Sequence, residues 1–174
     1  MKRVLILSLV CLAARATLVP ALGLEELIDQ SEIIAHGRVT SSWPAWDRGH
    51  KYIWTHFRLD VLDPIRGNPG ASVVVSEPGG SLDGVTMRIS GAPDYAVGEE
   101  AVVFLYRTPI GYLRATGYGQ GKYTVAPHSR VHANLNGFDL LKADSSRGVP
   151  LSTLDGLTVT EFKARVRVAI GSRR

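Results

Sequence analysis

The sequence predicts a small, mainly β domain closed into a barrel or sandwich, with a short helix before the strands and a longer one after them. Three observations predict it. Period-2 stretches rich in β-branched and aromatic residues recur between Gly- and Pro-containing turns. No strand–helix–strand alternation calls for a parallel sheet. Helical spacing is confined to a short stretch from Leu24 and to the last stretch.

Residues 1–21 read as a cleavable secretory leader. Lys2 and Arg3 precede an apolar run from Val4 to Ala14, and Val19-Pro20-Ala21 supplies a small-x-small cleavage site. Ala14-Arg15-Ala16 and Ala21-Leu22-Gly23 are alternative sites. The run of 11 residues is too short for a bilayer, which needs about 20. Cys11 lacks the small residues that lipid attachment requires just before the cysteine.

Residues 22–174 then form one domain. Leu24 to Gln30 is a short helix with Leu24, Leu27 and Ile28 on one stripe. Ile33 to Trp43 and Tyr52 to Leu62 alternate as two strands of a long hairpin. Ser72 to Glu77 and Val85 to Ser90 follow, and Ala101 to Tyr106 is apolar throughout, as a strand buried on both faces would be. Tyr112 to Thr116 and Lys122 to Ala126 continue the meander. Asn136-Gly137 suggests a further hairpin between Arg130–Leu135 and Phe138–Leu141. Thr158 with Glu161 matches a capping box opening a helix over 158–171, whose stripe is Val159, Phe162, Val166 and Ile170, with Lys163, Arg165 and Arg167 outside.

Removing the leader changes the charge argument. The whole chain carries 20 Lys and Arg against 16 Asp and Glu; without Lys2, Arg3 and Arg15 the balance is 17 against 16. Net basicity therefore gives no support for a nucleic-acid partner, which needs a concentrated positive surface. Cys11 leaves as well, so no disulfide can form within the remaining chain.

Several motifs carry residue types used in catalysis or metal binding. His128-x-x-x-His132 has the spacing of two ligands on a helix, but Pro127 argues against a helix there, and surface histidines are expected. The Gly117 to Lys122 stretch lacks the first glycine and the Ser/Thr of a phosphate loop, and reads as a Gly-rich turn with a sheet-edge lysine. Glu99-Glu100 read as solvated turn carboxylates pointing to opposite faces. No Gly-x-Ser-x-Gly elbow or cysteine nucleophile remains, so no catalytic, metal or cofactor residue is assigned.

The outward face of the first hairpin is more informative. A loop centred near Arg48 pairs His36 with Asp60, Arg38 with Arg58, Thr40 with His56 and Ser42 with Trp54. His36, Arg38, Tyr52, Trp54, His56 and Arg58, with Trp43 and Trp46 beside them, would then make one aromatic and cationic strip suited to a binding interface. If the terminal helix covers this face, the same aromatics belong to the core instead.

A further pattern runs through Ser31-Glu32-Ile33-Ile34-Ala35-His36-Gly37-Arg38-Val39, Thr55, Ile65-Arg66-Gly67 and Gly79-Gly80. It continues through Gly91-x-Pro93-x-Tyr95-x-x-Gly98-Glu99, Phe104-Leu105 and Gln120-Gly121-Lys122-Tyr123. Over roughly Leu24 to Val125 it resembles a group of exported, largely uncharacterised bacterial proteins. In its opening strands it is also similar to netrin-like domains such as the tissue inhibitors of metalloproteinases. That resemblance implies an OB-type barrel of five to eight strands with flanking helices. The inhibitors chelate zinc through an amino-terminal cysteine, and no such cysteine exists here, so their mechanism does not carry over.

The resulting expectation is a secreted or periplasmic, non-catalytic module that needs no cofactor and binds an envelope protein or polysaccharide. The competing expectation is a hydrolase using a metal or carboxylates gathered by the fold.

Overall fold

A computed structural model describes residues 17–133, 135, 138–141 and 149–172. The described elements run β1 (Thr17–Pro20), α1 (Leu24–Asp29), β2 (Ile33–Trp46), β3 (Ile53–Arg66), β4 (Ser72–Pro78), β5 (Gly80–Leu82) and β6 (Val85–Met87). They continue with β7 (Glu100–Arg107), β8 (Leu113–Ala115), β9 (Lys122–Ala126), β10 (Arg130–Ala133), β11 (Phe138–Leu141) and α2 (Val159–Gly171). The Asn136-Gly137 turn lies outside the described residues.

The main sheet has the order β10-β9-β7-β2-β3-β4-β8, and β7 also pairs with β8. Five strands, β2-β3-β4-β8-β7, therefore close on themselves. The closing pair β4–β8 is parallel at Val75 and Leu113, and the other four pairs of the ring are antiparallel. This is the OB-type barrel with flanking helices. One edge of β7 is divided: residues 105–107 pair with β8 and residues 101–103 with β9.

The alternation of β7 makes two cores. Ala101, Val103 and Leu105 point into the barrel with Ile33, Ala35, Val39, Phe57, Leu59, Val73 and Val75. Val102 and Phe104 point outward, where Leu24, Leu27 and Ile28 of α1 and Phe162, Val166 and Ala169 of α2 cover them. Burial on both faces is why the run from Ala101 carries no polar residue before Arg107.

The helices form for local reasons and are held by specific contacts. In α1, Glu26 accepts from the Gly23 amide at 3.1 Å, and Arg66 donates to the carbonyl of Ile28 near the far end at 2.6 Å. In α2, the Thr158 hydroxyl accepts from Glu161 N at 3.3 Å, and the Glu161 carboxylate accepts from Thr158 N at 2.9 Å. Lys163 and Arg167, one turn apart, both reach Asp63 of β3 at 2.7 Å, Arg167 from the exposed side of the helix. Burial pushes the Asp63 carboxyl up, but the hydrogen bonds and charges of this pair outweigh it and hold it below the usual range.

Three sequence expectations are corrected. β2 and β3 each run 14 residues and bulge at Ile34/Ala35, His36/Gly37 and Val39/Ser41, so His36 pairs with Asp63, Arg38 with Asp60, Trp43 with His56 and Ala45 with Trp54. Each bulge adds a residue to one strand, which uniform alternation cannot reveal. At Gly37 a Cβ would come within 2.8 Å of the Asp60 carbonyl, so only glycine fits beside that crossing. Among the described residues β10 and β11 do not pair as a hairpin: β10 pairs with β9, and β11 pairs in parallel with β1. Val85–Ser90 shortens to Val85–Met87 and pairs only with β5.

Candidate functional site

Trp54, His56 and Arg58 share the outward face of β3, opposite Thr55, Phe57 and Leu59. Direct cross-strand pairing brings Trp43 of β2 beside His56, with ring centroids 5.4 Å apart, and places Ser76 of β4 on the other side. His56 Nδ1 and Ser76 Oγ are 2.7 Å apart. Burial lowers the His56 pKa, favouring the neutral imidazole.

β8 lies beyond β4, about two strand spacings or roughly 9.6 Å from β3. The small side chain of Ser76 lets residues from β3 and β8 meet over it. Tyr112 packs edge-on against Trp54 at 5.0 Å and against His56 at 5.3 Å. The Arg114 guanidinium lies 5.7 Å from the Trp54 ring and 5.6 Å from the Tyr118 ring. The result is a continuous patch of four rings, one imidazole and one cation, to which neither helix contributes. Trp43 is exposed, and Trp54, Tyr112, Arg114 and Tyr118 are half-buried. A groove of about 390 Å³ runs beside it, with His56, Ser72, Val74, Ser76 and Tyr112 in its walls.

Glu77 supports the patch from beneath. It accepts from Arg114 Nε at 3.1 Å and from the Ala115 amide at 2.7 Å. Burial drives its carboxyl up to about 7, against the opposing pull of Arg114 and Ala115. Glu77 also lines a cavity of about 480 Å³ at the barrel mouth, with Thr55, Arg88 and Asp94.

The six residues expected to form one strip fall into separate settings. His36 is buried and its Nε2 lies 2.8 Å from Glu100, which also takes Arg38 at 2.5 Å. Trp54 and His56 sit in the aromatic patch. Arg58 is exposed and donates to Ser72 Oγ at 3.3 Å. Tyr52, 54% exposed, belongs to the hairpin loop. The bulges, by re-aiming β2, separate His36 and Arg38 from the ring-bearing half of the hairpin.

The acidic pair is half-buried and ion-paired. Glu99 takes Lys122 at 2.7 Å and Thr124 at 2.5 Å, while Glu100 holds His36 and Arg38. Burial raises Glu99, but the hydrogen bonds from Lys122, Thr124 and Ala96 hold its carboxyl below the usual range. Lys122 is no sheet-edge residue: it is buried in β9, its ammonium 4.4 Å from the centre of the Tyr95 ring. His128 lies in a 3-10 turn at Pro127–Ser129, and His132 is exposed, 3.4 Å from Asp155. Among the described residues no three His, Cys, Asp or Glu side chains are placed to hold one metal ion.

Tyr112, Arg114, Tyr118, Ser76 and Glu77 were not singled out as site residues from the sequence. A weak signal existed: Tyr112 and Arg114 flank Leu113 at period 2, and Glu77 continues the inward series Val73, Val75. The chain matches no protein-family model and no curated protein.

Proposed function

We propose that this protein is an exported, non-catalytic binding module of a bacterial cell envelope, and that its ligand, a polysaccharide in preference to a protein, lies across β3, β4 and β8. One observation carries the reading: Trp43 is exposed and Trp54, Tyr112, Arg114 and Tyr118 are half-buried around a buried His56, beside a groove. Rings offer large contact area at low entropic cost, while the half-buried Arg114 between them supplies hydrogen-bond donors. In barrels of this topology the second and third strands, with the first–second and fourth–fifth loops, are a common seat for oligosaccharides and oligonucleotides. Those strands are β3 and β4 here, and the second loop delivers Tyr112. The near-neutral charge expected after leader removal disfavours nucleic acid.

The chain has three tryptophans, and all lie in β2 and β3, two of them in the patch. Titration with soluble envelope polysaccharide fragments should produce a saturable change in tryptophan emission, lost in Trp54→Ala. No change with any fragment, together with Trp54-dependent capture of a purified envelope protein, would move the ligand to a protein. The carboxylate hydrolase remains the second reading because Glu77 and Asp94 share one cavity. Both Glu77 oxygens are already engaged, one by Arg114 and one by Ala115, which weakens it. Shortened products that vanish in Glu77→Gln would favour it.

A further inference from the structure

We propose that the leader is cut between Ala16 and Thr17, so that the exported chain begins with β1 as part of its fold. This rests on the export reading above and moves the boundary from the Val19-Pro20-Ala21 site.

The sequence permits it. Ala14-Arg15-Ala16 is a small-x-small site directly after the apolar run, and a leader ending there is within the range of about 15–30 residues. Thr17 to Pro20 then pair in parallel with Phe138 to Leu141, residue for residue. Val19 is only 6% exposed. The next residues are held as firmly. Gln120, 1% exposed, accepts from Leu22 N at 2.9 Å and donates to the Pro20 carbonyl at 3.0 Å and to the Gly117 carbonyl at 3.2 Å. Gly23 bridges to Pro150, and Leu24 N donates to Val149 O at 2.9 Å.

Leader removal acts on the emerging chain, so the issue is what the folded domain keeps. A cut after Ala21 would remove β1, leave the edge of β11 without its partner, and deprive a buried Gln120 amide of one acceptor. It would also remove Val19 and Pro20 from a groove of about 560 Å³ that they share with Tyr106, Arg114 and Tyr118. The groove adjoins the candidate binding face through Arg114 and Tyr118, so the cut position decides whether that end of the face has a wall. A cut after Ala16 keeps all of this and still removes Lys2, Arg3, Arg15 and Cys11.

The test is to produce the full chain in an exporting bacterial host and read the amino terminus of the exported product by intact mass and sequencing. A start at Thr17 is expected, with Ala16→Phe blocking that cut and Ala21→Phe leaving it intact. A start at Leu22 or Leu24 overturns the boundary and leaves export standing. A chain that keeps Met1 overturns cleavage, and if it also stays inside the cell, export falls with it. Chains starting at Thr17 and at Leu22 should differ in Tm by roughly 5 °C or more in favour of the longer one. Equal Tm values would show that β1 adds nothing to the fold and would overturn the proposal.

Discussion

The barrel carries an aromatic cluster on each of two outer faces, built from similar residues and put to opposite use. Under the helices, Phe104, Tyr123 and Phe162 pack with ring centroids 4.5 to 6.3 Å apart, and all three are fully buried. Across β3, β4 and β8, Trp43, Trp54 and Tyr112 pack at similar distances around His56 and keep contact with water. The difference comes from what surrounds the rings. The sealed cluster has Leu, Ile and Val neighbours and two helices above it. The open one has His56, Ser76 and Arg114 between its rings. In the open cluster the buried His56 and Ser76 satisfy each other, and the half-buried Arg114 spends its Nε on Glu77 while its other N–H groups lie among partly wet rings.

The comparison breaks most readily at its sealed end. Phe162→Ala should cost about 3–5 kcal/mol, read by chemical denaturation, because it leaves a cavity at the junction of both helices and the sheet. A loss below about 1 kcal/mol would mean that α2 does not seal this face.

Glu77 gives a pH test at the boundary between barrel interior and open face. Its folded pKa, about 7, stands above its ordinary 4.5. The folded state therefore binds the proton more tightly than the unfolded one. The resulting stabilisation is complete below pH 4.5 and is lost as pH rises through about 7. Its size is on the order of 3 kcal/mol. Asp63 and Glu99 act oppositely: their lowered pKa values contribute stability above the ordinary carboxylate range that disappears in stronger acid. Urea denaturation across pH 4.5 to 8 should show the Glu77 decline, and Glu77→Gln should flatten it. An unchanged slope in the variant would assign the pH dependence elsewhere.

The open face should yield the smallest stability changes and the largest binding changes. Trp54→Ala loses its contacts with Tyr112 and Arg114, about 1 kcal/mol, while ligand affinity should fall at least tenfold. Tyr52→Ala should stay within about 0.5 kcal/mol by thermal melting. A loss of several kcal/mol from Trp54→Ala would make the two clusters alike and end the argument for a binding face.

Much of this architecture was legible in order along the chain. Alternation marked β2 and β3, a Val-rich run marked β4, the apolar run marked β7 as doubly buried, and Thr158 with Glu161 marked the start of α2. These are local signals. The site was legible only in half, because Trp54 and His56 announce themselves on one strand while Tyr112 and Arg114 arrive from far along the chain. Their meeting depends on the parallel β4–β8 closure and on a small residue at Ser76, neither of which has a local pattern. His36 and Arg38 were misplaced for a related reason: each bulge shifts every pair beyond it.

The divided edge of β7 has a kinetic consequence. Residues 101–103 hold the β9–β10 extension, residues 105–107 close the barrel, and the same strand is the common wall of both cores. Neither compartment can open fully without stripping one side of β7, so the two should unfold as a single cooperative unit despite their separate linings. Amide protons of Val102 to Leu105 would then be the last to exchange with solvent deuterium, at the rate of global opening. The candidate binding face is tied to that unit through β8, where Arg114 pairs with Tyr106 of β7.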